Sequence, residues 1–224
     1  MKILAVDTAL GACSAAVLQD ERLRAHRFTA MERGHAEALA PMVQEAMAEA
    51  GLAFADLDRL AVTTGPGTFT GQRVGLAFMR GLRLALKRPL IGITTLEAMA
   101  AAAMAETGAS RAAVLHDARR GEVYFALYAA SEGAIVEPCL LAFDDAVAEI
   151  LRRSERGPIA LAGTAAQAAC ERYRQSGREG QVSSIIQPDA LWVARLALRA
   201  PAPDAVPRPL YLRPPDAKLP APPS

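Results

Sequence analysis

The chain is predicted to be an α/β protein of two similar units, each running strand, strand, strand, helix, strand, helix. Two patterns carry that reading. Groups of three short apolar stretches are each followed by segments whose apolar residues recur at three- and four-residue steps, which calls for a mixed sheet with helices on its faces. The first strand of each unit also ends in an aspartate with glycine four residues on, Asp7 and Gly11 in DTALG, Asp117 and Gly121 in DARRG, and the two copies lie 110 residues apart. Matching order and matching motif together indicate a duplicated fold with a cleft between its lobes.

In the first unit Lys2 to Asp7, Ala12 to Gln19 and Arg22 to Thr29 form a β-meander, turned at Gly11 and at Gln19-Asp20-Glu21. Leu39, Met42, Val43, Ala46, Met47 and Ala50 then mark one face of a helix over His35 to Ala50, ended by Gly51. Pro41 would cost about 3 kcal/mol in a helix interior, so regular helix is expected to begin near Leu39 or to bend there. Arg59 to Thr64 reads as a buried strand, Gly71 to Lys87 as a helix, Leu90 to Ile93 as a strand and Leu96 to Ala105 as a helix.

The second unit repeats this with strands Ala112 to Arg119, Glu122 to Ala129 and Ala134 to Leu141, helix Asp144 to Arg153, strand Ile159 to Ala162 and helix Ala165 to Ser176. Pro188 to Arg199 reads as a last helix with the proline near its first turn. Beyond it lie 9 of the chain's 15 prolines, an extended arm with only Leu210, Tyr211 and Leu212 as an anchor. The expected division is a first lobe over 1–108, a second over 109–200 whose last helix can pack back on the first, and an arm over 201–224.

Composition narrows the function. With 224 residues, 52% of them hydrophobic, the chain can bury roughly 70% of its unfolded surface without staples. Three widely spaced cysteines, Cys13, Cys139 and Cys170, disfavour a disulfide framework and a structural zinc site and fit a reducing, cytoplasmic setting. The N-terminal MKILAVDTAL lacks the long apolar core of a signal peptide, and no stretch of 18 apolar residues suggests a membrane span. A formal charge of +1 argues against gripping nucleic acid unaided. The run Arg152, Arg153, Glu155 and Arg156 mixes its signs and reads as a solvated helix end.

The densest motif is Gly65-Pro66-Gly67-Thr68-Phe69-Thr70-Gly71, placed after a strand and opening a helix. Its glycines let backbone approach a neighbour or a ligand, and amides at a helix start favour an anion, although such turns also occur without any ligand. It is not a Walker loop, because Gln72 and Arg73 follow Gly71.

GPGTFTGQRVG resembles the GPG-S-FTG-x-R-x-G signature of the bacterial TsaB (YeaZ) family, the dimerization subunits of the tRNA threonylcarbamoyladenosine complex. The similarity extends through ILAVDTALGACSAAVL, GHAEALAPMV, PLIGITTLEAMA, DARRGEVYFALY and PLYLRPPDAK. Thr68 replaces the usual serine conservatively, whereas Gln72 stands where an apolar residue is common. The resemblance implies a two-lobed actin-like, Hsp70-like ATPase (ASKHA) fold and a non-catalytic role. In the related catalytic subunit TsaD, a His-x-x-x-His metal pair follows the signature and the next strand; here the matching positions are Thr95 and Met99, in Thr95-Leu96-Glu97-Ala98-Met99. No metal site is therefore assigned. The three histidines, His26, His35 and His116, do not supply that spacing elsewhere.

In ATPases of this fold, an aspartate at the end of the first strand meets the metal-phosphate group and a second loop comes from the other lobe. Asp7, Thr8, Gly65, Gly67 and Thr68 are the candidate nucleotide contacts, but the second loop, Leu161-Ala162-Gly163-Thr164, has no carboxylate. The expectation is no required cofactor, with ATP or ADP contact only within a complex.

A partner is expected on physical grounds. The helix after the signature is apolar on most sides, and Gly71 and Gly75 would let another helix come close, with Leu39 to Ala50 its natural neighbour. The candidate partner face is His35, Leu39, Met42, Val43, Met47, Gly71, Gly75, Met79 and Leu82. The pattern serves a monomer's core equally well; the resemblance favours the interface. It implies a homodimer in isolation, a heterodimer with TsaD, TsaE joining the complex and TsaC making the adenylate. TsaD would then transfer threonylcarbamoyl to the adenosine beside the anticodon, so that tRNA meets this chain only indirectly. The rival readings are a metallopeptidase-like hydrolase and a small-molecule phosphotransferase of the same fold.

Overall fold

The computed structural model describes residues 1–153, 157–201 and 203–213. Its first sheet comprises β1 (Lys2–Asp7), β2 (Ala12–Gln19), β3 (Arg22–Ala30), β4 (Arg59–Thr63) and β5 (Leu90–Ile93), in spatial order β3-β2-β1-β4-β5. The second comprises β6 (Arg111–Asp117), β7 (Glu122–Ala129), β8 (Gly133–Ala142), β9 (Ile159–Ala162) and β10 (Gly180–Val182), in order β10-β9-β6-β7-β8. Read from its other edge this is the same order, so the expected duplication holds strand by strand. The registers agree as well: β1 pairs antiparallel with β2 and parallel with β4, and β6 does the same with β7 and β9.

Among the described residues there are six α-helices, α1 (His35–Ala50), α2 (Phe69–Leu86), α3 (Thr95–Thr107), α4 (Phe143–Arg153), α5 (Ala166–Gln175) and α6 (Ala190–Arg199), besides a short 3-10 turn at Phe54–Asp56. Three details depart from the sequence reading. α1 begins at His35 and contains Pro41 rather than starting near Leu39. Pro41 and Glu37 are both exposed, so the carbonyl that loses its amide partner lies on the watered side, where the loss is small. α2 starts two residues before Gly71, because the Thr68 hydroxyl caps it by accepting the Gly71 amide at 3.1 Å. β10 was not anticipated; three residues are too few to show a period, and the strand exists by pairing with β9.

The third helix of each unit crosses over. α3 lays Leu96, Met99, Ala100 and Ala103 on Ala112, Val114, Ala126 and Ala160 of the second sheet. α6 lays Ala190, Val193, Ala194 and Ala197 on Ile3, Ala5, Ala16 and Ala61 of the first. Alanine dominates both contacts because small side chains let helix and sheet close up without a gap. The outer layers are larger-grained: α1 and α2 bury Leu39, Met42, Val43, Met47, Leu76 and Met79 against Leu4, Val6 and Val17. Each such side chain contributes about 1.5–3 kcal/mol.

Arg152 and Arg153 both pair with Glu149 on α4, as a solvated helix end should, while Glu155 and Arg156 lie outside the described residues. So do Ala202 and residues 214–224 of the arm. Among the described residues no helix is long and apolar enough to cross a membrane.

Candidate functional site

The signature loop is knitted to the end of β1. A Cβ added at Gly67 would stand 2.2 Å from the Ala9 carbonyl oxygen, and one at Gly71 would stand 2.2 Å from that of Thr8. At Gly75 it would stand 2.7 Å from the Thr8 hydroxyl. Glycines at four-residue steps thus form a groove along α2 that receives Thr8 and Ala9. Hydrogen bonds lock the fit: the Thr8 hydroxyl donates to the Gly71 carbonyl at 2.7 Å and accepts the Gly75 amide at 3.0 Å. The Thr68 amide donates to the Ala9 carbonyl at 2.8 Å.

This corrects the expectation that Gly71 and Gly75 present a face to another helix: they face inward, onto their own lobe. Leu39, Val43, Met47 and Met79 are likewise at most 2% exposed, and Met42 is buried with them. His35 is buried too, its Nε2 hydrogen-bonded to the Leu10 carbonyl at 3.0 Å, which ties the start of α1 to the β1–β2 turn. Of the candidate partner face only Leu82 is partly open, and it leans on the same cluster. Alternation of apolar residues identified the buried faces of these helices, and the lobe's own sheet covers them. Beyond Phe69, Thr70 and Arg73 near its start, α2 leaves Ala77, Gly81, Leu84 and Ala85 outside, with Val74 and Phe78 half-buried.

The nucleotide candidates divide in the same way. Asp7 is fully buried; its Oδ1 accepts the Thr63 hydroxyl at 2.6 Å and the Ala9 amide at 3.2 Å, while Oδ2 has no partner. Burial pushes its pKa up to about 7, against the lowering effect of those hydrogen bonds. Asp117, its counterpart, makes the same local bond with Oδ1 accepting the Arg119 amide at 2.8 Å, but is exposed. The second-lobe loop also repeats the crowding: a Cβ at Gly163 would stand 2.3 Å from the Leu115 carbonyl oxygen, and the Thr164 hydroxyl accepts the Asp117 amide at 2.8 Å.

Between these two loop systems opens a cleft of about 960 Å³. Gly67 and Thr68 line it; Asp7, Thr8 and Gly65 lie behind its wall. Facing residues are Gln72, His116, Asp117, Arg119, Tyr124 and Gln187, and the arm adds Tyr211, Leu212 and Arg213. Burial holds the His116 imidazole neutral, with its pKa down at about 4. Its Nδ1 and the Gln72 Oε1 have no protein partner. The cleft carries guanidinium groups, and the two carboxylates on its lining, Glu32 and Asp117, come from outside the signature loop. Sequence reasoning missed the arm's share of this wall; the apolar triplet at 210–212 marked an anchor without saying where it lands.

Thr95 and Met99, at the start of α3, are both fully buried, and the three histidines sit on three different elements. Among the described residues no group of three histidine, cysteine or acidic side chains is placed to hold a metal ion.

Comparison with known proteins follows the same lines. Residues 29–185 match the family model for TsaD, tRNA N6-adenosine threonylcarbamoyltransferase. The tRNA threonylcarbamoyladenosine biosynthesis protein TsaB of Escherichia coli is 43% identical over 60% of this chain, a match that spans 58% of that protein's length. A Pseudomonas aeruginosa crystal structure described as similar to peptidase YeaZ superposes with a TM-score of 0.79 at 31% identity, covering 95% of this chain and 99% of that one. Component A of (R)-2-hydroxyglutaryl-CoA dehydratase from Acidaminococcus fermentans, at 11% identity and a TM-score of 0.56, shares the fold alone. The architecture is that of the actin-like ATPases.

Proposed function

The chain belongs to the TsaB (YeaZ) family, and from that we propose that it serves tRNA threonylcarbamoyladenosine biosynthesis as a non-catalytic subunit that binds and activates TsaD. One observation carries the non-catalytic part. Where the catalytic relative is expected to present two metal-binding histidines, this chain has Thr95 and Met99, both turned into the packing of α3. A threonine hydroxyl and a thioether inside a core cannot replace imidazoles at a metal. Reconstitution of the tRNA modification with and without this chain is the direct test. Product that depends on the chain, with no turnover by the chain alone, is expected; metal-dependent peptide cleavage or phosphoryl transfer by the chain alone would sink the reading.

The docking face we propose is the outer side of α2, shared between a second copy of the chain in isolation and TsaD in the complex. Ala77, Gly81 and Ala85 recur every fourth residue and are exposed, and a Cβ at Gly81 would touch nothing within 4 Å. Such a ridge lets another helix approach closely. A Gly81→Lys substitution is expected to weaken self-association and TsaD binding at least about tenfold, or about 1.4 kcal/mol, without lowering the unfolding temperature, because lysine is the better helix former. Sedimentation velocity and a pull-down with TsaD check this; an unchanged dimer that still binds TsaD would move the face elsewhere. TsaE joins through the complex and tRNA meets the chain indirectly. ATP or ADP touches the cleft only in the assembled complex, at Gly67 and Thr68, with no cofactor required by the chain itself.

A further inference from the structure

We propose that residues 203–213 are a releasable clasp that ties the two lobes together across the mouth of the cleft. After α6 the chain returns along the first lobe. Pro207 lies over β5 so closely that a Cβ at Gly92 would come within 2.8 Å of it, and the Arg80 guanidinium donates to the Pro207 carbonyl. The Leu210 amide donates to the Thr64 carbonyl at 2.7 Å, at the end of β4. Tyr211 then stacks on Phe69 with ring centres 5.6 Å apart, and its hydroxyl accepts the Arg73 Nε–H at 2.8 Å. Arg73 in turn lies 3.6 Å from the centre of the Phe69 ring. Two residues later the segment has crossed to the other lobe. Arg213 Nη1 donates to the Ala118 carbonyl at 2.7 Å, and Nη2 pairs with Glu122, so that one guanidinium holds both sides of the β6–β7 turn.

The placement gives these contacts leverage. The lobes are joined at their centre by the exchanged helices α3 and α6, which pack on each other's sheets. A tie at the cleft mouth acts far from that centre, so it limits the angle between lobes more than its strength suggests. It is also weak enough to open. The Arg213–Glu122 pair keeps 20% and 38% of its side-chain surface exposed, and ion pairs that water can reach are modest and sensitive to salt. The first-lobe anchor, with two rings, the Arg73 and Arg80 guanidinium groups and a backbone bond, makes more contacts and is the firmer end. Release is therefore expected at Arg213, leaving Tyr211 in place.

Hydrogen exchange on the full chain tests this. In Arg213→Met, which keeps an apolar stem, amides 118–122 should exchange at least about fivefold faster, while those of β1 and β6 stay as protected as before. Tyr211→Ala should loosen both 118–122 and the Thr64–Phe69 loop. The wild-type chain offers a test that needs no substitution: at about 1 M salt, where screening acts over about 3 Å, protection at 118–122 should fall and that at Leu210 should remain. A variant with a native-like unfolding transition and wild-type exchange at 118–122 overturns the clasp. So does wild-type exchange there that ignores salt.

Discussion

An Asp7→Asn variant is expected to be more stable than the wild-type chain at about pH 8, by up to about 4 kcal/mol, and the gap should close as the pH falls toward 4. The cause is a carboxyl with no access to water. Its pKa is raised by burial from 3.8 to about 7, and one oxygen has no partner. At the lowest pH both folded and unfolded chains hold the proton, and the group contributes no pH dependence. Between the two values the unfolded chain gives up its proton and the folded chain keeps it. Stability then falls as pH rises, by about 1.4 kcal/mol per pH unit, and levels off above the folded pKa. Asparagine keeps an oxygen for the Thr63 hydroxyl and the Ala9 amide and removes the charge. Urea denaturation of both proteins at several pH values measures the difference; a gap that stays constant with pH would show that Asp7 is not buried as a titrating acid.

Gly71→Ala should destabilise the fold by about 3 kcal/mol or more, whereas Gly81→Ala, ten residues along the same helix, should stabilise it by up to about 1 kcal/mol. At position 71 a methyl would meet the Thr8 carbonyl at 2.2 Å and the Thr68 hydroxyl at 2.6 Å. Neither can yield cheaply: one is backbone at the end of β1, and the other is the cap of α2. Displacing them also breaks the bond from the Thr8 hydroxyl to the Gly71 carbonyl. At position 81 the methyl meets nothing within 4 Å, and only the helix preference of alanine remains. Thermal and urea unfolding of the pair read the opposite signs. Equal effects would mean that the groove along α2 is looser than its geometry.

These two sites show how much of the fold is legible in the amino-acid sequence. The duplicated aspartate motif was legible, and its two members do share a local bond to the residue two places on. That they differ in environment, one sealed and one exposed, depends on which loop covers each strand end. Gly71 and Gly75 were legible as places of close approach, but a glycine pair announces only that something comes near. The visitor proved to be Thr8 and Ala9, more than sixty residues upstream, rather than another helix.

The methionine and leucine faces of α1 and α2 were equally visible and equally ambiguous, since burial in a core and burial in an interface leave the same apolar period. Their packing on β1 and β2 settles it for the core and leaves the small-residue ridge outside. β10 and the landing place of the arm were not legible at all. A three-residue strand and a proline-rich segment have no internal order to reveal, and each takes its shape from what it binds.

By itself the sequence determined the two-lobed α/β architecture, its duplication and the family, because periodicity and the spacing of glycines and aspartates are local and survive in one dimension. Only the tertiary structure decided which apolar faces are spent inside the lobe, how Asp7 is cut off from water and which residues wall the cleft. Those outcomes turn on contacts between segments far apart in the chain, and the free energy of such contacts depends on distance and solvent access rather than on residue type.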